Sequence, residues 1–378
     1  MYVTGRHGTG EGTILASLAQ TSREIQLERV DVIARNPANA AAVAEAMARI
    51  NHRISSHLVA RYFAVTSVAD YLRTESNYDA AIIVVPDHLH YEIGKVVLES
   101  DIHCLMVKPL TPLVTEAEDL VRIQRERRLY AAVEFHKRFD ESNRLVRRMI
   151  TDGAIGEARY LVINYSQRIS IPLDVFREWS PKSNIFQYLG VHYVDLVYFL
   201  TGARPQRVMA IGTRGVLEPL GVLTYDSIHA TIQWHGGAGG RNSFITVMNI
   251  GWIDPRCTSA LSDQRFTLVG SVARMDVDQK NRGMEFVKDG LGVQHVNPYF
   301  SDYLPTMDGR MEFQGYGYKS VRCFLDDVQA LKAGRISLDE LDISRPSFRQ
   351  GLVSTAVVEA VNTSISQSSR WVDIHDFP

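Results

Sequence analysis

The chain has 378 residues, enough for two domains with cores of their own, and with 45% hydrophobic and 22% charged residues it reads as globular rather than disordered. A net charge of -2 offers no concentrated basic surface for phosphate contacts, which argues against a dedicated nucleic-acid binder. Three cysteines without CxxC spacing argue against a disulfide framework or a structural zinc site; no apolar run has membrane length and no signal-peptide core follows Met1, so a reduced, cytoplasmic protein is expected.

The first chemistry-bearing segment is a glycine cluster, Gly5-Arg6-His7-Gly8-Thr9-Gly10-Glu11-Gly12, followed by the helix-compatible residues 13–19. Glycines at a strand-to-helix turn let the backbone approach a pyrophosphate, whose charge meets the free N–H groups of the helix start. Gly5, Arg6, His7 and Gly8 are the candidate contacts. Only Met1, Tyr2 and Val3 precede the turn, whereas a central strand has about five or six residues. Either the native start lies upstream or the first strand is stunted.

Compact apolar runs then alternate with helical patterns. Residues 29–34, 80–85, 102–107 and 130–135 read as strands, the second apolar throughout as a buried parallel strand should be. Residues 89–98 and the segment after the capping signature Thr115-Glu116-Ala117-Glu118 read as helices. This rhythm means an α/β protein opening on a doubly wound parallel sheet. After a helix over 140–151 the pattern changes, with strands at 159–165, 222–234, 243–250, 265–269 and 273–277 spaced like a mostly antiparallel sheet. Helices over 185–200, 316–332 and 348–364 complete an α+β domain with a large open sheet. The reading gives a dinucleotide-binding domain over 1–130 and a substrate-binding and oligomerisation domain over 131–378. Ile228, Ile232 and Trp234 are expected on a sheet face that assembles into a homodimer or homotetramer.

The end of the strand at 29–34 addresses cofactor choice. An acid there would hold ribose hydroxyls, while an arginine accommodates a 2′-phosphate. The tip reads Ala34-Arg35-Asn36-Pro37, so Arg35 and Asn36 favour NADP(H) over NAD(H).

Taken together, the glycine turn, Val85-Pro86-Asp87-His88-Leu89-His90, Val107-Lys108-Pro109, Phe135-His136-Lys137-Arg138-Phe139-Asp140, Gly153-Ala154-Ile155-Gly156-Glu157 and Gly190-Val191-His192-Tyr193-Val194-Asp195 run in one order along nearly the whole chain. In that order and spacing the chain resembles the glucose-fructose oxidoreductase, inositol dehydrogenase and MocA family. The resemblance implies a Rossmann domain paired with an open-sheet domain, a nicotinamide cofactor, a sugar or cyclitol substrate and homo-oligomers. Two positions depart from the family pattern. Val107 stands where the family lysine is preceded by glutamate, and Tyr188 stands four before the histidine, where aspartate is common.

The residues themselves carry the chemistry. Oxidising a secondary alcohol removes a hydride from carbon and a proton from oxygen, so a base must reach the hydroxyl. Lys108 ends a parallel strand, at the rim where open α/β sheets bind ligands, and Pro109 restricts its backbone. Desolvation would lower its pKa towards the working range. On the helix over 185–200, Tyr188, His192 and Asp195 are spaced i, i+4, i+7 and share one face. His192 is expected as general base for oxidation, Asp195 as the group that orients it or holds a substrate hydroxyl, and Tyr188 as the stand-in for the missing aspartate. No metal is expected. Val85, Pro86, Asp87, His90, Lys108 and Pro109 are further candidates for the cofactor cleft, with Asp87 alternatively a helix cap. His136 and Arg138 are expected at the substrate, with Trp179 as a stacking wall and Lys182 as an anion contact. A second reading keeps the fold but not the turnover: a dinucleotide-binding sensor or regulatory module, which Lys108 and His192 argue against.

Overall fold

Cys104, Leu105, Met106 and Val107 form an unbroken apolar run, and the chain folds it as a buried strand. It lies in the middle of a parallel group. In the computed structural model, which describes residues 12–237 and 243–374, β1 (Val30–Ala34) pairs with β2 (Ala60–Ala64), while β3 (Ala80–Ile83), β4 (His103–Val107) and β5 (Ala131–Glu134) pair in that order. Every one of these pairs is parallel. Parallel neighbours need crossovers, and here the crossovers are helical. After α1 (Thr13–Thr21) come α2 (Asn39–Ile54), α3 (Val68–Thr74), α4 (His90–Glu99) and α5 (Val114–Glu126), each joining one strand to the next. The alternation is the dinucleotide-binding, Rossmann-like architecture. Gly5, Arg6, His7 and Gly8 lie outside the described residues.

The division at residue 130 is corrected by the strand pairing. β5 is hydrogen-bonded to β4, with Val107 opposite Glu134, so the first sheet runs through Glu134.

Past α6 (Glu141–Thr151) the second unit begins with β6 (Ala158–Arg168), which α7 (Val191–Thr201) connects to β7 (Arg204–Thr213). β8 (Ser227–His235), β9 (Phe244–Asp254), β10 (Ser262–Gly270) and β11 (Arg274–Asp278) follow. Two small hairpins come next, β12 (Glu285–Lys288) with β13 (Gly292–His295) and β14 (Asp302–Pro305) with β15 (Met311–Gln314). The chain closes with α8 (Tyr316–Lys332), α9 (Leu338–Ser344), α10 (Phe348–Ser366) and β16 (Val372–Asp373). A seven-stranded sheet takes the order β11-β10-β6-β9-β8-β7-β16, with β6 and β9 parallel and the remaining pairs antiparallel.

Strand alternation decides which face of that sheet is core. Ile228, Ile232, Trp234, Met248 and Trp252 are fully buried within the chain, on the face that α7 and α10 cover. The expectation that Ile228, Ile232 and Trp234 form an assembly face is therefore corrected, because they point inward and Ser227, His229 and Gln233 alternate with them. α8 and α10 tie the two units together. Val321, Phe324 and Val328 of α8 pack with Ile14, Leu105 and Tyr130 of the first unit. α10 passes so close to β5 that a Cβ on Gly351 would meet Val133 Cγ2 at 3.0 Å and Leu110 Cδ2 at 3.3 Å. The rim of β3, β4 and β5 is thereby held against α7.

Candidate active site

Three parallel strands end at one rim and deliver Asp87, Lys108 and Glu134 there. Lys108 directly follows β4 and is only 7% exposed. Its ammonium donates to the Tyr188 carbonyl oxygen and lies 4.1 Å from the centre of the Tyr188 ring. Burial drives the lysine down to about 7, against the opposing pull of the Asp87 and Glu134 carboxylates. The Lys108–Pro109 peptide is cis, and Pro109 is buried.

His90 and Asp87 are both buried and hydrogen-bonded within the chain. The two ring nitrogens of His90 sit against the carbonyl oxygens of Pro109 at 2.7 Å and Val85 at 3.0 Å, so the imidazole ties the end of β3 to the loop after β4. Burial holds its pKa below the ordinary histidine value. Asp87 accepts hydrogen bonds from the Trp179 indole at 2.8 Å, the Ser183 hydroxyl at 2.6 Å, the Gln187 amide at 3.0 Å and the His88 backbone N–H at 3.0 Å. A buried carboxylate so fully paired is a clamp between the two units. Pro86 is exposed and Val85 half-buried on the same rim.

The helix that bears His192 starts in an unusual way. Phe186–Gly190 is a π turn, wider than an α turn, before α7 proper. Gly190 is required there, since a Cβ would lie 2.7 Å from the Phe186 ring. The i, i+4 geometry expected of Tyr188 and His192 is thereby altered. The ring neighbours of Tyr188 are Phe176, Trp179 and Trp252, whereas those of His192 are His136 at 4.8 Å and Tyr165 at 6.5 Å. The Tyr188 hydroxyl bonds with Gln167, and burial pushes the phenol up to about 12. Its ring face, rather than its hydroxyl, is what meets Lys108.

His192 is buried, and its Nδ1 has no hydrogen-bond partner among the described residues. Burial, reinforced by Lys108, His136 and Lys137, drives its pKa well below the ordinary value, leaving an uncharged imidazole. Asp195 does not orient it. Both Asp195 oxygens are taken by Arg138, at 2.6 and 2.9 Å, and that guanidinium also donates to Gln350. Arg138 is thus part of a buried ion pair, which corrects its expected role at the substrate. Trp179 is held edge-on against Phe176 with its N–H on Asp87. Lys182 stands exposed at the surface.

Sequence reading passed over two residues of the cluster. Lys137 is buried, donates to Gln279 at 2.9 Å and to Gln264, and lies 4.8 Å from the Tyr193 ring. Burial lowers it to about 7. Glu134, whose carboxylate meets His136, was read only as part of a strand. A glutamate followed two residues later by histidine and then lysine, directly after an apolar strand, was the available signal.

At the tip of β1, Arg35 is exposed and has no partner among the described residues. Asn36 caps its own turn, its side-chain oxygen accepting from the Ala38 N–H at 3.0 Å. The acid on this strand, Asp31, is bonded by Arg61, Arg29 and Tyr71.

A parallel dinucleotide-binding sheet whose rim presents a buried lysine, with an uncharged imidazole on a helix of the second unit, defines the class of dinucleotide-dependent oxidoreductases. Within that class the chain belongs to the GFO/IDH/MocA family. Residues 5–135 match the family model described as the oxidoreductase family, NAD-binding Rossmann fold, and residues 143–275 match that of the GFO/IDH/MocA C-terminal domain. The chain is similar to the UDP-N-acetylglucosamine 3-dehydrogenase of Acidithiobacillus ferrooxidans, 30% identical over 146 residues, which cover 39% of this chain and 43% of that protein. It thus spans under half of that relative's length. It is also 21% identical to the inositol 2-dehydrogenase of Rhizobium meliloti over 299 residues, 79% of this chain and 82% of the relative. In fold it matches a scyllo-inositol dehydrogenase of Lactobacillus casei solved with NAD(H) and scyllo-inositol, with a TM-score of 0.67 at 16% identity over 98% of this chain and 97% of that one. No helix among the described residues is long and apolar enough to cross a membrane.

Proposed function

We propose that the protein is a nicotinamide-dependent dehydrogenase that moves a hydride between its cofactor and a hydroxyl-bearing carbon of a sugar, sugar derivative or cyclitol. The observation that carries the reading is geometric. Lys108 is buried at the end of β4 and held by the carbonyl oxygen and ring of Tyr188, and His192 is buried four residues beyond Tyr188 on the same segment, with an Nδ1 unpartnered among the described residues. Burial lowers the pKa of both groups. Relatives and fold neighbours named as inositol and sugar dehydrogenases support the substrate class. The nicotinamide, when bound, supplies the hydride acceptor. His192 accepts the hydroxyl proton, and since Nδ1 is sealed, Nε2 is the nitrogen that meets the substrate. Lys108 stabilises negative charge developing on the same oxygen. Tyr188 fixes the lysine through its carbonyl oxygen and its ring face.

The residues present fit NADP(H) in preference to NAD(H). Arg35, exposed and without a partner among the described residues, is placed to meet a 2′-phosphate, while Asp31, tied to arginines and tyrosines, is not available to ribose hydroxyls. Arg35→Asp should weaken NADP(H) at least tenfold while leaving NAD(H) nearly unchanged, as fluorescence titration would show; equal losses for both would contradict the preference.

A homodimer or homotetramer is the assembly that fits the sheet's other face, where Tyr160, Ile211 and Ile245 are exposed at 42%, 49% and 41%. Light scattering that gave only the monomer mass would contradict it. The activity is tested by following NADP⁺ reduction with the whole protein against a panel of cyclitols, sugars and nucleotide sugars. Turnover of at least one is expected, and cofactor binding with no turnover across the panel would favour a sensor.

A further inference from the structure

The ammonium of Lys108 belongs to the first unit, yet it donates to a backbone oxygen of the second, that of Tyr188. The oxygen lies in the π turn Phe186–Gly190. Such turns are rare, so contacts outside the turn decide where Tyr188 sits.

Those contacts converge on one carboxylate. Asp87, at the rim after β3, is 2% exposed and accepts from the Gln187 amide at 3.0 Å, the Ser183 hydroxyl at 2.6 Å and the Trp179 indole at 2.8 Å. Gln187 is the residue before Tyr188. Its amide oxygen is fixed in turn by the amides of Asn184 at 3.0 Å and Asn362, on α10, at 2.9 Å. Trp179 packs edge-on to Tyr188, with ring centres 5.4 Å apart and planes at 81°. The main chain of Tyr188 and its ring are therefore held separately, and both holds begin at Asp87. These are the two features that Tyr188 presents to the lysine, its carbonyl oxygen and its ring face at 4.1 Å.

Joining two units needs no buried charge, and burying one is costly. The charge of Asp87 acts on Lys108 as well, since its pull opposes the desolvation that lowers the lysine.

We propose that Asp87 is a positioning residue for the reaction, aiming the Lys108 ammonium at the substrate oxygen through Gln187, Trp179 and Tyr188. This rests on the dehydrogenase reading above. Lys108 is aimed only while residues 179–188 are seated on the rim of the first unit.

The test compares Asp87→Asn, Gln187→Leu and Lys108→Met in the whole protein, with NADP⁺ and whichever cyclitol or sugar the wild type oxidises fastest. Gln187→Leu keeps side-chain bulk and the charge of Asp87, and breaks the link to the residue before Tyr188. It should lower kcat about tenfold with the Kd of NADP⁺ within about threefold. Asp87→Asn removes the charge and leaves one acceptor oxygen for the donors. It should lower kcat about 30-fold. Because Lys108 acts as the ammonium, the limb on which kcat falls with rising pH should also move to lower pH, by about one unit. The groups facing the lysine are Asp87, Glu134, the Tyr188 ring and His192, and of these the variant changes only Asp87.

A kcat within about twofold of wild type in Gln187→Leu, or an unmoved limb in a folded Asp87→Asn, would overturn the proposal. Gln187→Leu decides the matter alone where the aspartate variant does not fold. Normal turnover in Lys108→Met would instead remove the lysine from the reaction, and with it the reading on which the proposal rests. Carbon NMR of labelled lysines needs no turnover. The ε-carbon signal that disappears in Lys108→Met should titrate near 7 in the wild type and lower in Asp87→Asn, and an unshifted midpoint would count against Asp87.

Discussion

His192 and Asp195 stand three residues apart on α7, both almost wholly buried, and the chain treats them in opposite ways. Asp195 has both oxygens on Arg138, whose guanidinium reaches on to Gln350, so its charge is matched and its geometry fixed. His192 has a ring nitrogen without a partner among the described residues and three neighbours, Lys108, His136 and Lys137, whose positive charge would oppose its own. Buried polar groups in folded proteins are nearly always paired. Where one is left open beside a second group whose ordinary charge has been suppressed, packing alone does not account for it, and a ligand that completes the site does. One turn of helix thus separates a structural charge from a chemical one.

The largest effect should come from breaking the structural side. Asp195→Asn leaves Arg138 buried without its counter-charge, which should cost about 3–5 kcal/mol of stability. Denaturant unfolding would measure it, and turnover per folded molecule should change far less than stability does. A small loss of stability joined to a large loss of turnover would move Asp195 to the chemical side.

Lys108→Met should cut turnover by about 100-fold with cofactor binding retained. It should also change how stability depends on pH. With the folded lysine near 7 and the unfolded one near the ordinary lysine value of 10.5, the unfolded chain binds more protons between those values, so stability rises with pH through that window. Between pH 7 and 9 the wild type should therefore gain up to about 2 kcal/mol relative to Lys108→Met. Parallel stability curves for the two would show that the ammonium is not held near neutrality.

Tyr188→Phe should have the smallest effect. The hydroxyl faces Gln167, while the ring and the backbone carbonyl that hold Lys108 survive the change. Turnover within about fivefold of wild type is expected, less than the ~1 kcal/mol of one ordinary hydrogen bond. A loss as large as that of Lys108→Met would return the phenol to the proton's path.

Much of this was legible in the chain itself, for identifiable reasons. The runs over 80–85, 102–107 and 130–135 announced parallel strands because a strand buried on both faces can carry little but apolar residues. β7 escaped notice because Arg204, Pro205, Gln206 and Arg207 give its first half no apolar alternation, and β16 is two residues long. Lys108 and His192 stood out by position. Partners did not, because a spacing says which side chains share a helix face but not which charge on another element reaches them. Arg138 was visible and its pairing to Asp195 was not. A single π turn at Phe186–Gly190 was enough to separate Tyr188 from His192, and one turn is too short for any periodicity to reveal. That the Trp179 indole N–H also satisfies Asp87 was not readable from its position.

The most direct test of the distinction between the two buried residues of α7 is the rate of NADP⁺ reduction by His192→Asn, saturated with cofactor and with the best wild-type substrate. A fall of about 100-fold or more, in a protein that unfolds at the same denaturant concentration as wild type, is the expected result. Turnover equal to wild type would contradict it, and would make the unpaired imidazole a defect of packing rather than the base.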